Sequence, residues 1–141
     1  MTSLYDQDFC EWSENQATYL RNKEIEQLDF ENLIEEIESL GRSNKSALTS
    51  YLTRLMIHLL KLTYAAHQKG NSLSWDSSVF HSRREIKYIL KSSPSLKNFM
   101  NTIEQECYED AKQGASLETL IKIEDFPKDC PWTLEEILKE K

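Results

Sequence analysis

The chain has 141 residues, 39% hydrophobic and 29% charged, with a net charge of −7 and only three glycines and three prolines. One compact domain fits that length, the scarcity of breakers favours long helices over a many-turned β fold, and the apolar runs are too short to cross a bilayer. The opening MTSLYDQDFCEW lacks the basic start and apolar core of a signal peptide, and Cys10, Cys107 and Cys130 form no C-x-x-C pair, so the expectation is a cytoplasmic protein with reduced thiols and no metal or cofactor.

The first helix is expected from about Asp6 to Lys23, where Phe9, Trp12, Gln16, Tyr19 and Leu20 recur at three- and four-residue steps. Asp29 reads as the N-cap of a second helix with the apolar face Phe30, Leu33, Ile34, Ile37 and Leu40. Gly41 stands where a left-handed cap would close that helix, or where it would continue with a bend. The third helix, about Asn44 to Ala66, is the most hydrophobic. Leu48, Tyr51, Leu52, Leu55, Leu59 and Leu62 mark its main face, and Met56, Ile57 and Leu60 widen it, as a central bundle helix requires. Residues 67–74, HQKGNSLS, read as a loop, after which Trp75 and Asp76 open a fourth helix to about Lys91. Ser93-Pro94 reads as an N-cap with proline at the first helical position, starting a fifth helix through Leu96, Phe99, Met100, Ile103 and Cys107. In the last segment, EDFPKDCPWTLEEILKEK, Phe126, Pro127, Pro131 and Trp132 suit a packed extended connector, and Thr133 with Glu136 makes a capping box for a short final helix. No stretch alternates as a strand does. The expected fold is all-α: one helical bundle, 1–141, of about five or six helices with a short C-terminal docking segment.

Charge is laid out in blocks. Residues 1–40 carry two basic and eleven acidic side chains, residues 41–100 ten basic and two acidic, and residues 101–141 five basic and eleven acidic. A basic middle between acidic ends suits a nucleic-acid surface, or a chain that folds back so that opposite charges meet; the overall acidity favours the second.

The acidic stretch LDFENLIEEIESLGR is not one cluster. On a helical wheel of about 100° per residue, Glu31, Glu35 and Glu38 line one flank of the apolar face and Glu36 lies on the other. Arg54, His58 and Lys61 repeat the same spacing on the third helix, and Arg83 falls within the Val79, Ile86, Leu90 face of the fourth. An arginine on a core-facing stripe needs a carboxylate or several carbonyls, unless its head snorkels to water. Glu36 or Glu38 is the candidate carboxylate. The expectation is that Glu36, His58 and Arg83 converge between helices, within a polar cluster that also takes in Glu38, Arg54 and Lys61. A histidine in the run LMIHLLK is either a satisfied structural group or a general base or ligand. His67 and His81 add no H-x-x-x-H or E-x-x-H spacing, and phosphate-binding glycine loops and a G-x-S-x-G elbow are absent.

These residues also carry a resemblance. LDFENLIEEIESLGRS, LMIHLLK, SW-x3-V-x3-R-x2-I, SPSL and FPKDCPWTLEEIL, in that order, resemble the domain-of-unknown-function family twenty-nine, a bacterial family abundant in cyanobacteria. The resemblance runs over about residues 4–138. It carries over Asn32, Glu35, Glu36, Glu38, His58, Lys61, Trp75 and Arg83 as motif positions. Leu62 and Trp132 stand where the family often has tryptophan and tyrosine. An all-helical single domain of uncharacterised activity is what the resemblance implies.

Three functions fit these observations. The first is a non-catalytic protein-interaction or regulatory module, of which antitoxin-like binding of a basic partner is one version. The second is nucleic-acid binding through the basic segment 42–97, using Lys45, Arg54, Arg83, Arg84, Lys87 and Lys91. The third is a small metal-dependent or acid–base enzyme using Glu35, Glu36 and His58. Oligomeric state has no sequence signal.

Overall fold

The computed structural model describes residues 2–68 and 72–139. It is all-α: the described residues form six α-helices and two 3-10 turns, with no strand. The helices are α1 (Leu4–Gln7), α2 (Phe9–Arg21), α3 (Phe30–Tyr64), α4 (Ser72–Ser92), α5 (Leu96–Thr119) and α6 (Leu134–Leu138). They fall into two compact units, Met1–Ser43 and Asn44–Lys141.

In the first unit the single helix expected over Asp6–Lys23 is two. Asp8 interrupts it because its carboxylate caps the next helix, accepting from the Glu11 N–H at 3.0 Å. Helix α2 closes with Lys23 in the left-handed region at φ 60°. There the Glu24 and Lys23 amides reach back to the Tyr19 and Leu20 carbonyls, the pairing that a glycine usually serves. Tyr5, Phe9 and Trp12 form an edge-on aromatic group, Tyr5 standing 4.8 Å from the Trp12 ring. Trp12 and Gln16 are the buried residues of α2. Asp29 does cap α3, with the Asn32 amide 3.4 Å from its Oδ1.

The second and third helices expected from the sequence are one. Helix α3 runs through Gly41 because that glycine has no positive φ and no cap forms there. In the second unit, Leu48, Leu52, Leu55, Met56 and Leu60 of α3 are wholly buried. They share a core with Val79 and Ile86 of α4, Met100, Ile103, Cys107 and Tyr108 of α5, and Phe126 and Ile137 beyond. Small residues let α5 approach α3: a Cβ added at Gly114 would lie 2.7 Å from Ile57 Cδ1.

Helix α4 begins at Ser72, earlier than Trp75; the middle of the expected loop, 69–71, lies outside the described residues. Ser93 and Pro94 form a turn before α5 rather than its cap, their carbonyls accepting from the Leu96 and Lys97 amides. Leu120, at φ 65°, ends α5. The connector that follows is pinned to α5 by Tyr108, whose hydroxyl donates to the Pro127 carbonyl at 2.6 Å, and by Lys112, which donates to the Lys128 carbonyl at 3.0 Å. Thr133 caps α6, accepting from the Glu136 N–H at 3.1 Å.

Candidate functional site

In the first unit Asp29, Asn32, Glu35, Glu36, Glu38 and Arg42 of the acidic stretch are each engaged. Asp29 Oδ2 accepts from Trp12 Nε1 at 3.0 Å and from Asn32 Nδ2 at 2.8 Å, while the Asp29 amide donates to Gln16 Oε1 at 2.8 Å. The Asn32 hydrogen bond above all holds the Asp29 carboxyl below its usual range; Trp12 helps, and desolvation opposes. Glu36 accepts from the Tyr5 hydroxyl, and that bond, followed by desolvation and the surrounding carboxylates, pushes the tyrosine up to about 12. Glu35 and Glu38 meet Arg42, at 2.8 and 3.6 Å. All three side chains are more than half exposed, so these pairs contribute little to stability.

What the first unit leaves uncovered is apolar. Phe30, Ile34, Ile37 and Leu40 are 55, 54, 67 and 70% exposed. Phe30, Ile34 and Ile37 follow one helical line, with Glu31, Glu35 and Glu38 along its flank.

The second unit holds His58 and Arg83, and each lies against a backbone carbonyl there. His58 Nδ1 lies 2.8 Å from the Arg54 carbonyl. A carbonyl only accepts, so Nδ1 donates and Nε2 is the nitrogen that titrates. Burial, against the Arg54 carbonyl and with Lys61 adding to it, pushes the imidazole below its ordinary value. Arg83 Nε donates to the Ile137 carbonyl at 2.6 Å. The three residues expected to meet, Glu36, His58 and Arg83, are divided between the two units. Glu36 belongs to the first, with Tyr5, and the other two to the second.

Lys61 does lie at a polar junction. Buried to 7% exposure, its ammonium sits 2.9 Å from Glu118 of α5 and 4.8 Å from the Trp75 ring centroid. Two of the motif residues, Lys61 and Trp75, thus meet around a glutamate that nothing in the sequence distinguished from the other acids of the last third. Tyr5 escaped notice for the same reason: its partner lies thirty-one residues away. Arg83 lines an open cavity of about 720 Å³ with Leu59, Leu62, Phe80, Trp132 and Glu136 among others.

Of the basic residues proposed for nucleic acid, Lys45 and Arg54 lie on α3 and Arg83, Arg84, Lys87 and Lys91 on α4. Lys45 stands over the Phe99 ring at 5.4 Å, and Arg54 borders a shallow depression with Ala47, Ser50 and Tyr51. Arg84, Lys87 and Lys91 are exposed on one face of α4. Among the described residues no group of three or more His, Cys, Asp or Glu side chains is placed to hold a metal ion, and no helix is long and apolar enough to cross a membrane.

A family model described as "Domain of unknown function DUF29" matches residues 4–141. Comparison with curated proteins found no match. Comparison with solved structures found none either.

Proposed function

The chain belongs to the DUF29 family of domains of unknown function, and from that premise we propose that it is a non-catalytic protein-interaction module. The observation that carries this reading is the exposed row Phe30, Ile34 and Ile37 on α3. A contiguous apolar patch rimmed by polar groups marks a surface that works by being covered. Residues 1–43 carry three basic and eleven acidic side chains, so the surface suits a partner whose contact is apolar at its centre and basic at its edge. An antitoxin-like regulator binding a basic protein is one form of this reading. A cytoplasmic setting belongs to the same proposal, supported by three unpaired cysteines.

The test is co-purification from the native host with the wild-type chain and with Ile34→Asp. Residue 34 is a surface position, so the substitution leaves the fold intact. The expected result is a reproducible partner retained by the wild type and lost by the variant. Recovery of the chain with the same companions in both cases, or with none, counts against the module.

A second reading has its own observation. Arg84, Lys87 and Lys91 share a face of α4 with the exposed Tyr88, and aromatic rings interleaved with cations suit a nucleic-acid backbone and its bases. A mobility shift at low salt that disappears in Arg84→Glu/Lys91→Glu supports it; no shift with DNA or RNA at low salt removes it.

A further inference from the structure

Two helix faces stand uncovered, and they are complementary. The first is the row Phe30, Ile34 and Ile37 of α3, flanked by Glu31, Glu35 and Glu38. The second is the outer side of α4. Leu73, Phe80 and Tyr88 are 85, 57 and 70% exposed there, and Arg84, Lys87 and Lys91 fall on the same side of the wheel.

We propose that these are the two halves of one interface between copies of this chain. The acid-flanked row of one copy seats on the basic, aromatic outer face of α4 of a second copy, and the reciprocal contact closes a dimer. This rests on the interaction-module reading and names its occupant.

Charge chooses between the possible seatings. Two α3 rows packed on each other would bring together two units, each of eleven acidic and three basic side chains, and like charges at an interface are unfavourable. Row on α4 places Glu31, Glu35 and Glu38 against Arg84 and Lys91. Phe30, Ile34 and Ile37 on the one face and Leu73, Phe80 and Tyr88 on the other are solvent-exposed, so apolar surface on each is available to a second copy. Reciprocity matters because a one-way contact of this kind extends into a filament, whereas a two-fold exchange stops at two.

The experiment is light-scattering mass in solution at low and high salt, joined to cross-linking in a Cys10→Ser background. The expected mass is that of two chains, with a dissociation constant that rises severalfold as salt screens the contact. Ile34→Asp and Arg84→Glu/Lys91→Glu each give a monomer with unchanged helicity. Adding Glu31→Lys/Glu35→Lys to the second variant restores the dimer. Under mild oxidant, a mixture of Ile34→Cys chains and Tyr88→Cys chains forms a 34–88 disulfide between chains.

A 34–34 disulfide alone overturns the proposal in favour of row on row. A 34–88 link at single-chain mass in the doubly substituted chain overturns it in favour of the chain's own α4. A mass that grows without limit overturns the closed exchange, and a monomer whose α4 variant loses nucleic-acid binding gives that face to nucleic acid. If the wild type is a monomer but capture from the host still depends on Ile34, the dimer fails and the module stands. If neither is seen, both fail.

Discussion

Asp29 combines three tasks: it caps α3, takes the indole N–H of Trp12, and is bound by the Asn32 side chain, while its own amide is held by Gln16. The cap was legible in the sequence because aspartate just before an apolar periodic run is a local signal. The rest was not, because Trp12 and Gln16 lie on another helix and no local rule links them to it. Replacing Asp29 with alanine removes the acceptor from a mostly buried indole and the cap from α3, and is expected to cost about 1–2 kcal/mol, measured by chemical denaturation. The carboxyl is held below its ordinary range in the folded chain. Its contribution is therefore complete above the unfolded value of about 4 and is lost as the pH falls through the lower folded value. Asp29→Ala is accordingly expected to flatten the loss of stability below about pH 4, seen as a smaller drop in Tm between mildly and strongly acidic buffers. Arg83 shows the opposite limit of sequence reading. Its place on a core-facing stripe announced a need for acceptors, and one of them is the Ile137 carbonyl, a backbone group of a distant C-terminal segment that no side-chain pattern reveals.

Among the elements, α3 departs furthest from the sequence reading. Its apolar periodicity and its N-cap were readable, and of the two outcomes left open at Gly41, a left-handed stop or a continuing helix, the helix continues. A glycine closes a helix only when the chain turns left-handed there, and nothing after Gly41, neither proline nor a hydrophobic cap contact, drives that turn. The glycine is then an ordinary helical position with nothing within 4 Å of an added Cβ. Gly41→Ala is expected to stabilise the protein by about 0.5–1 kcal/mol through helix propensity alone. Gly114 has the same backbone freedom but not the space, since a Cβ there would meet Ile57 Cδ1 at 2.7 Å and Cγ1 at 3.2 Å. Gly114→Ala should therefore gain less than Gly41→Ala or lose stability, and thermal melts of the two variants side by side check the difference. Lys61 makes the related point about charge. The sequence placed it at the edge of an apolar face, and burial there is accommodated by Glu118 and the Trp75 ring, on two different helices.

On the scale of the molecule, the all-α class and the helical core of α3, α4 and α5 followed from periodicity and scarce breakers, because those signals accumulate over long helices. The division at Ser43 and Asn44 lies close to the reversal of charge after residue 40, but the helical periodicity does not mark it, since a helix crosses it. The two units differ in how much they bury. In residues 2–43 the buried side chains are Trp12 and Gln16, whereas residues 44–139 hold the whole apolar cluster. Local opening free energy follows buried apolar contact, so amide hydrogens of α1 and α2 should exchange much faster than those of α5 around Cys107 and Ala111. Equal protection across both would contradict that division of stability. The uncovered row of α3 carries one more consequence. Whatever partner settles on Phe30, Ile34 and Ile37 removes ordered water from apolar surface, and that process has a heat-capacity signature. Association at this face should show an enthalpy that becomes steadily more favourable with rising temperature, and a complex that loosens in the cold.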